Sequence, residues 1–172
     1  NRWRGRGDLR GIAYFTWDDT YFYMAIKRID NEHLQTHTGH ELYRDDSVEL
    51  WLDLDVYGDL DTAQANEDDY QFVFSAGDFD TLPPEGVTYY PDRADYQLTV
   101  NAVPLGKGYL LEARIPWAAV GVTPFDGMEL GYAVVLNDND SPQEPDPKSQ
   151  VSTSPVVPFA NPSAFGNMFL LP

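Results

Sequence analysis

Asp45-Asp46-Ser47-Val48-Glu49-Leu50-Trp51-Leu52-Asp53 alternates in polarity, and an extended strand sends successive side chains to opposite faces. Val48, Leu50 and Leu52 therefore point into a core, while Ser47, Glu49, Trp51 and Asp53 share the other face. A tryptophan between two carboxylates on that face has two readings. The face is the floor of a groove, or the ring covers a neighbouring strand. The same period of two recurs on both sides of this segment. It predicts strands at Ile12 to Trp17, Tyr21 to Asp30, Tyr70 to Ala76, Tyr96 to Val103, Tyr109 to Ile115, Met128 to Asn137 and Met168 to Leu171. In the Tyr70 strand, Phe72 and Phe74 take the core side, and Gln71, Val73 and Ser75 the opposite one. Turn chemistry separates the strands at Asp18-Asp19, Gly106-Lys107-Gly108 and Asp138-Asn139-Asp140. Only the stretch Trp117-Ala118-Ala119-Val120 reads as helical. Strands at this spacing predict an all-β protein, an antiparallel β-sandwich or jelly roll.

The chain has 172 residues, 42% hydrophobic and 14% aromatic, enough for one domain spanning 1–172 with its own core. Acidic residues number 28 against 11 Lys plus Arg, a formal charge of −17. Such a charge repels phosphate backbones and anionic lipid, so no nucleic acid or membrane partner is expected, the first ten residues with Arg2, Arg4, Arg6 and Arg10 being the one local basic patch. Among these acids 20 are Asp and 8 Glu, which suits turns and loops rather than helices. There is no cysteine, hence no disulfide, thiolate metal site or thiol nucleophile. Neither an 18-residue apolar run nor the apolar core of a signal peptide is present. The expectation is a soluble chain that begins after processing or truncation.

The densest acidic run holds Asp53, Asp55, Asp59, Asp61, Glu67, Asp68 and Asp69, with Gly58 allowing a sharp turn. Many hard oxygen ligands in one loop are what calcium takes. The run is not an EF-hand, because Gln64 stands where a bidentate Glu is required. It reads as a calcium site in an irregular β-connection or as a solvated acidic loop. His33, His37 and His40 fall in one loop at metal-compatible spacing, although solvated histidines are the more common outcome. Neither a phosphate loop nor a nucleophile elbow occurs, and no catalysis is signalled. An Arg6-Gly7-Asp8 triplet is a chance-level adhesion match.

Trp17-Asp18-Asp19 with Tyr21-Phe22-Tyr23, then Asp30, then Asp45-Asp46-Ser47-Val48-Glu49-Leu50-Trp51-Leu52-Asp53, resembles the pattern of carbohydrate-binding module family 9 and its wider DOMON-related domains. The C-terminal half agrees: Gly108-Tyr109, Glu112-Ala113, Ile115-Pro116-Trp117, Gly131-Tyr132, Asn137-Asp138, Asn161-Pro162 and Phe165-Gly166-Asn167. The resemblance implies a non-catalytic β-sandwich module with structural calcium, for which the acidic run offers Asp53, Asp55, Asp59, Asp61, Asp68 and Asp69 as candidate ligands. It also implies a larger secreted or cell-surface chain and a polysaccharide or oligosaccharide partner. Family members grip the reducing end of a glucan or xylan between two tryptophans. Here Tyr43 stands at the first of those positions and Thr153 at the second, with Phe159 a few residues on as a substitute wall. Glu49 and Gln71 keep the polar contacts, Trp51 is a further stacking residue, and Val73 replaces a family arginine, removing a bidentate donor. The charge of −17 favours neutral glucan or xylan over acidic polysaccharide.

Members of the family usually open with an additional strand bearing Ile-Asp-Gly. Its absence predicts an unpaired sheet edge: either residues outside this sequence or another subunit complete it, or this copy has dispensed with the strand. Two other classes compete. A calcium-stabilised structural or interaction module needs no sugar, and a haem-binding relative would draw axial ligands from Met24, Met128 and Met168 with the loop histidines.

Overall fold

The computed structural model describes residues 3–91, 98–143, 147, 149–155 and 161–172. They form β1 (Leu9–Trp17), β2 (Tyr21–Asp30), β3 (Ser47–Asp53), β4 (Asp69–Ser75), β5 (Glu85–Tyr90), β6 (Thr99–Pro104), β7 (Tyr109–Pro116), α1 (Trp117–Val120), β8 (Glu129–Asp138), β9 (Ser149–Ser152) and β10 (Gly166–Phe169). Every strand pairing is antiparallel. The smaller sheet runs β1-β2-β7-β6. The larger runs β10-β8-β3-β4-β5, with β9 also on β8. The two sheets face each other as a sandwich.

The alternation in β3 accounts for this arrangement. Val48, Leu50 and Leu52 are fully buried and pack with Phe72 and Phe74 of β4, Leu130 and Leu136 of β8, and Phe22, Met24 and Ile26 of β2. Full burial of one such side chain stabilises by about 1.5–3 kcal/mol, so the inner faces fix the register of both sheets. Asp18 shapes the turn between β1 and β2 by accepting from the backbone N–H groups of Thr20 and Tyr21. Two strands escape the sequence reading. β5 lacks clean alternation and carries a bulge, and β9 is four mostly polar residues. The predicted start at Tyr96 lies outside the described residues, and β6 begins at Thr99.

Polar ties join the sheets at one end of the sandwich. Arg28 of β2 is fully buried. Its Nε donates to Asp30, one Nη donates to the carbonyls of Asn137 and Ser47, and the other Nη lies 3.0 Å from Asp46. Burial alone would favour loss of the charge, but Tyr109, Asp46 and Asp30 reverse that and hold the guanidinium charged. Asp46 also accepts from the N–H groups of Leu34 and Asn139, while Asp45 accepts from those of Thr36 and His37. The two aspartates that open the quoted segment are thus structural.

The three loop histidines do not converge. His33 contacts Asp46 and the Gly77 carbonyl, His37 contacts Asp45, and His40 packs on Tyr89. Met24 and Met128 are buried in the core. Asp8 is buried and accepts from the Arg4 N–H, which removes the Arg-Gly-Asp triplet from display.

Candidate functional site

The outer face of the larger sheet carries the polar residues singled out in β3 and β4. Trp51 pairs directly with Gln71 across the ladder, and Glu49 with Val73. Glu49 Oε2 accepts from Trp51 Nε1 (3.1 Å) and Gln71 Nε2 (2.9 Å), and Oε1 accepts from Asn137 Nδ2 (2.8 Å). Asn137 also donates to the Ser47 hydroxyl and accepts from Gln150 Nε2 at 2.6 Å. Neutral donors therefore lock the Glu49 carboxylate in one orientation. Both Glu49 and Gln71 are nearly buried.

Of the two readings of Trp51, the covering one holds, since the ring packs on neighbouring β8, and the saccharide-stacking one is overturned. Its ring is 1% exposed, packed with Ala133, Val135 and Phe165, so it has no face to stack on a saccharide. Its function is to donate to Glu49 and fill the space behind it. The aromatic edge is built instead by two half-buried rings, Tyr43 and a residue the sequence reading missed, Tyr89. These two rings meet edge to face at 5.8 Å. Tyr89 reaches that position through the β5 bulge: Gln71 opposes Tyr90 and Phe72 opposes Thr88, leaving Tyr89 as the extra residue. Burial and the charges of Tyr43 and Glu49 raise the Tyr89 pKa, so its phenol stays neutral. Thr153 is tied to β8, its N–H donating to the Val134 carbonyl and its hydroxyl accepting from the Val134 N–H. Phe159 lies outside the described residues.

At the far end of the same ladder, Asp53 sits directly opposite Asp69. Like charges in that position repel. Asp59 completes a group whose carboxylate oxygens lie within 4.8 Å of one another. Burial, opposed by the Asp55 N–H and assisted by Asp59 and Asp68, pushes the Asp53 pKa up to about 6. Burial likewise pushes Asp69 to about 7, with Asp53, Asp59 and Asp68 adding to it. Asn66 fixes the group by donating to both Asp59 oxygens and, through its N–H, to Asp69. Asp69 Oδ1 and Asp68 Oδ2 are buried without a hydrogen-bond partner. Orphaned hard oxygens among mutually repelling carboxylates are a fit for calcium.

Not all six aspartates expected as ligands come together. Asp61 is exposed and stands outside the three-carboxylate group. Asp55 turns one oxygen to the Gly58 N–H, and a side chain at Gly58 would collide with that carboxylate. Elsewhere, Asp30 and Asp46 also come together, but Arg28 stands between them as an internal cation.

A sandwich with an aromatic-edged polar site on one sheet face and an acidic group at the far end of the same ladder fits a β-sandwich binding module, the class that includes lectin-like jelly rolls. The chain belongs to the family described as carbohydrate family 9 binding domain-like, whose model matches residues 1–171. No curated protein matches it. Among solved structures, a family 9 carbohydrate-binding module from Caldicellulosiruptor kristjanssonii in complex with cellotriose is similar, with TM-score 0.75, 21% identity, and coverage of 98% of this chain and 78% of that one. The same kind of module in complex with glucose gives 0.73 and 22%, covering 97% and 79%. A putative carbohydrate-binding protein from Bacteroides uniformis gives 0.60 and 14%, covering 95% and 86%. These likenesses establish the shared fold.

Proposed function

We propose that this domain is a non-catalytic module that binds neutral glucan- or xylan-type saccharides on the outer face of its larger sheet. The observation that carries this reading is the Glu49 carboxylate, held by Trp51, Gln71 and Asn137 beside the Tyr43–Tyr89 edge. Sugar hydroxyls would meet Glu49 and Gln71, and a pyranose ring would lie against the tyrosines. Cellotriose and glucose are the ligands named for two similar modules. Glu49 orients an acceptor. Cleaving a glycosidic bond would need a second carboxyl group across it.

Calcium at Asp53, Asp59 and Asp69, with Asp68 adjacent, is the structural ion in this reading. It neutralises repulsion inside the β3–β4 ladder and so supports the strands that carry Glu49 and Gln71. A secreted or cell-surface setting within a larger chain suits a module of this kind.

Isothermal titration of the calcium-loaded protein with cello- and xylo-oligosaccharides, each beside its borohydride-reduced form, tests the reading. Binding heat is the expected result, and its loss on reduction would assign a reducing-end pocket. Absence of heat with every sugar would overturn the reading. It would leave a calcium-stabilised interaction module, which the burial of Trp51 and the backbone tie of Thr153 favour as the second account.

A further inference from the structure

The smaller sheet has an outer face of its own, on the opposite side of the sandwich from Glu49. Its ladder places residues in rows across the strands. Tyr14 pairs with Ala25, Ala25 with Glu112, and Glu112 with Asn101. The next row runs Thr16, Tyr23, Arg114, Thr99. The methyl group of Ala25 is the shortest side chain in either row, and around it the sheet holds a hollow of about 630 Å³, within the size range of small-ligand sites.

The two sides of the hollow differ in chemistry. Tyr14 and Tyr23 line one side, and Asn101, Glu112 and Arg114 line the other. Two of these side chains are fixed before any ligand arrives. The Tyr23 hydroxyl donates to Asp18 at 2.7 Å, and the Arg114 guanidinium lies 4.7 Å from the centre of the Tyr21 ring. Fixing exposed side chains in advance lowers the entropic cost of binding. An aromatic flank facing planar donors and acceptors matches a pyranose, which has an apolar C–H face and a hydroxylated edge. Arg114 and Glu112 cancel in charge, whereas the chain carries −17. An anionic ligand would be repelled and a neutral polyhydroxylated one would not.

We infer that this hollow is a second saccharide site, taking a neutral β-linked oligosaccharide on the face opposite Glu49. The ligand class follows that of the proposed function, but the site is separate from it. One module would then engage two chains, or two stretches of one chain, and gain avidity from a polymer.

The test is amide NMR of the full calcium-loaded chain titrated with cellohexaose. The amides of Ala25, Glu112 and Arg114 should shift in the wild type and in the Glu49→Gln/Tyr43→Ala variant alike. Ala25→Leu fills the hollow and should weaken that response at least tenfold while leaving shifts near Gln71 in place. Tyr14→Ala, which fills nothing, should weaken it in the same direction. Static signals at Ala25, Glu112 and Arg114 with about 10 mM cellohexaose would overturn the inference, as would an Ala25→Leu response equal to wild type. So would equal binding of an oligogalacturonate. Loss of the Glu49 and Gln71 shifts alone would overturn the proposed function and leave this site standing.

Discussion

Arg28→Met removes the buried guanidinium at the centre of the inter-sheet tie while keeping most of the apolar stem. Asp30 and Asp46 would then face each other with Asp138 nearby, all at positions where Arg28 now lies within 2.6–3.5 Å. The carbonyls of Ser47 and Asn137 would each lose a donor. Removing one partner of a buried ionic group costs about 3–5 kcal/mol, because the remaining charges stay buried and uncompensated. For a domain of this size each kcal/mol moves the Tm by about 2–4 °C, so the expected fall is about 6–20 °C. The loss should depend on pH in a definite sense. Burial already raises the Asp30 pKa, and Arg28 is the chief influence holding it down. Without Arg28 it rises further, and a carboxyl whose folded pKa is raised favours the folded state in acid and loses that contribution as pH climbs. Scanning calorimetry at about pH 7.5 and pH 5 should therefore show a gap between variant and wild type that narrows in acid. A fall below about 2 °C, or the same gap at both values, would refute the account of Arg28 as the compensating charge.

Chelation should lower the Tm, and calcium at about a hundredfold over its Kd should raise it by roughly 5–11 °C, the equivalent of about 2.7 kcal/mol. Asp69→Asn relieves the repulsion across β3 and β4, so calorimetry should find the calcium-free variant at or above wild type and without response to the ion. Glu49→Gln loses a charged acceptor worth about 1.5–3 kcal/mol and should weaken oligosaccharide binding by about 10- to 150-fold in titration calorimetry. Tyr89→Ala should weaken it by about tenfold with little change in Tm. His33 has its pKa raised: burial opposes the charge, but the contacts to Asp46 and the Gly77 carbonyl outweigh it, with nearby Arg28 working against them. Its stabilisation is complete below the usual histidine value of 6.5 and fades as pH rises through the raised one. In urea unfolding at a series of pH values, His33→Gln should flatten the fall in stability on the alkaline side.

The fold was legible because its signal is local and repeated. The alternation of Val48, Leu50 and Leu52, and of Phe72 and Phe74, predicts two inner faces, and both residue sets are buried there. Alternation put Glu49 and Gln71 on outer faces, only the family resemblance named them as site residues, and the two do meet. The choice between the two readings of Trp51 was not legible, because its cover comes from Phe165, more than a hundred residues away, and from β8. Alternation separates two faces but does not say which distant segment lies over the outer one. Tyr89 was invisible for another reason. A bulge breaks the period that would have exposed it, and its partner Tyr43 sits in a 3-10 turn with no period of two. In the acidic loop, composition suggested a cation, whereas the ladder register sets Asp53 opposite Asp69, a pairing no spacing rule predicts.

The bulge between Gln71 and Phe72 also separates two kinds of sequence change. On its core side, Thr88 is buried and the inner face is constrained by packing. The extra residue at position 89 belongs to neither alternation, so its side chain can be exchanged without shifting the strand by one step. If the proposed site holds, ligand preference would drift through substitutions at a single irregular residue while the sheets keep their register. A library randomised at position 89 alone would sample new specificities on an unchanged scaffold.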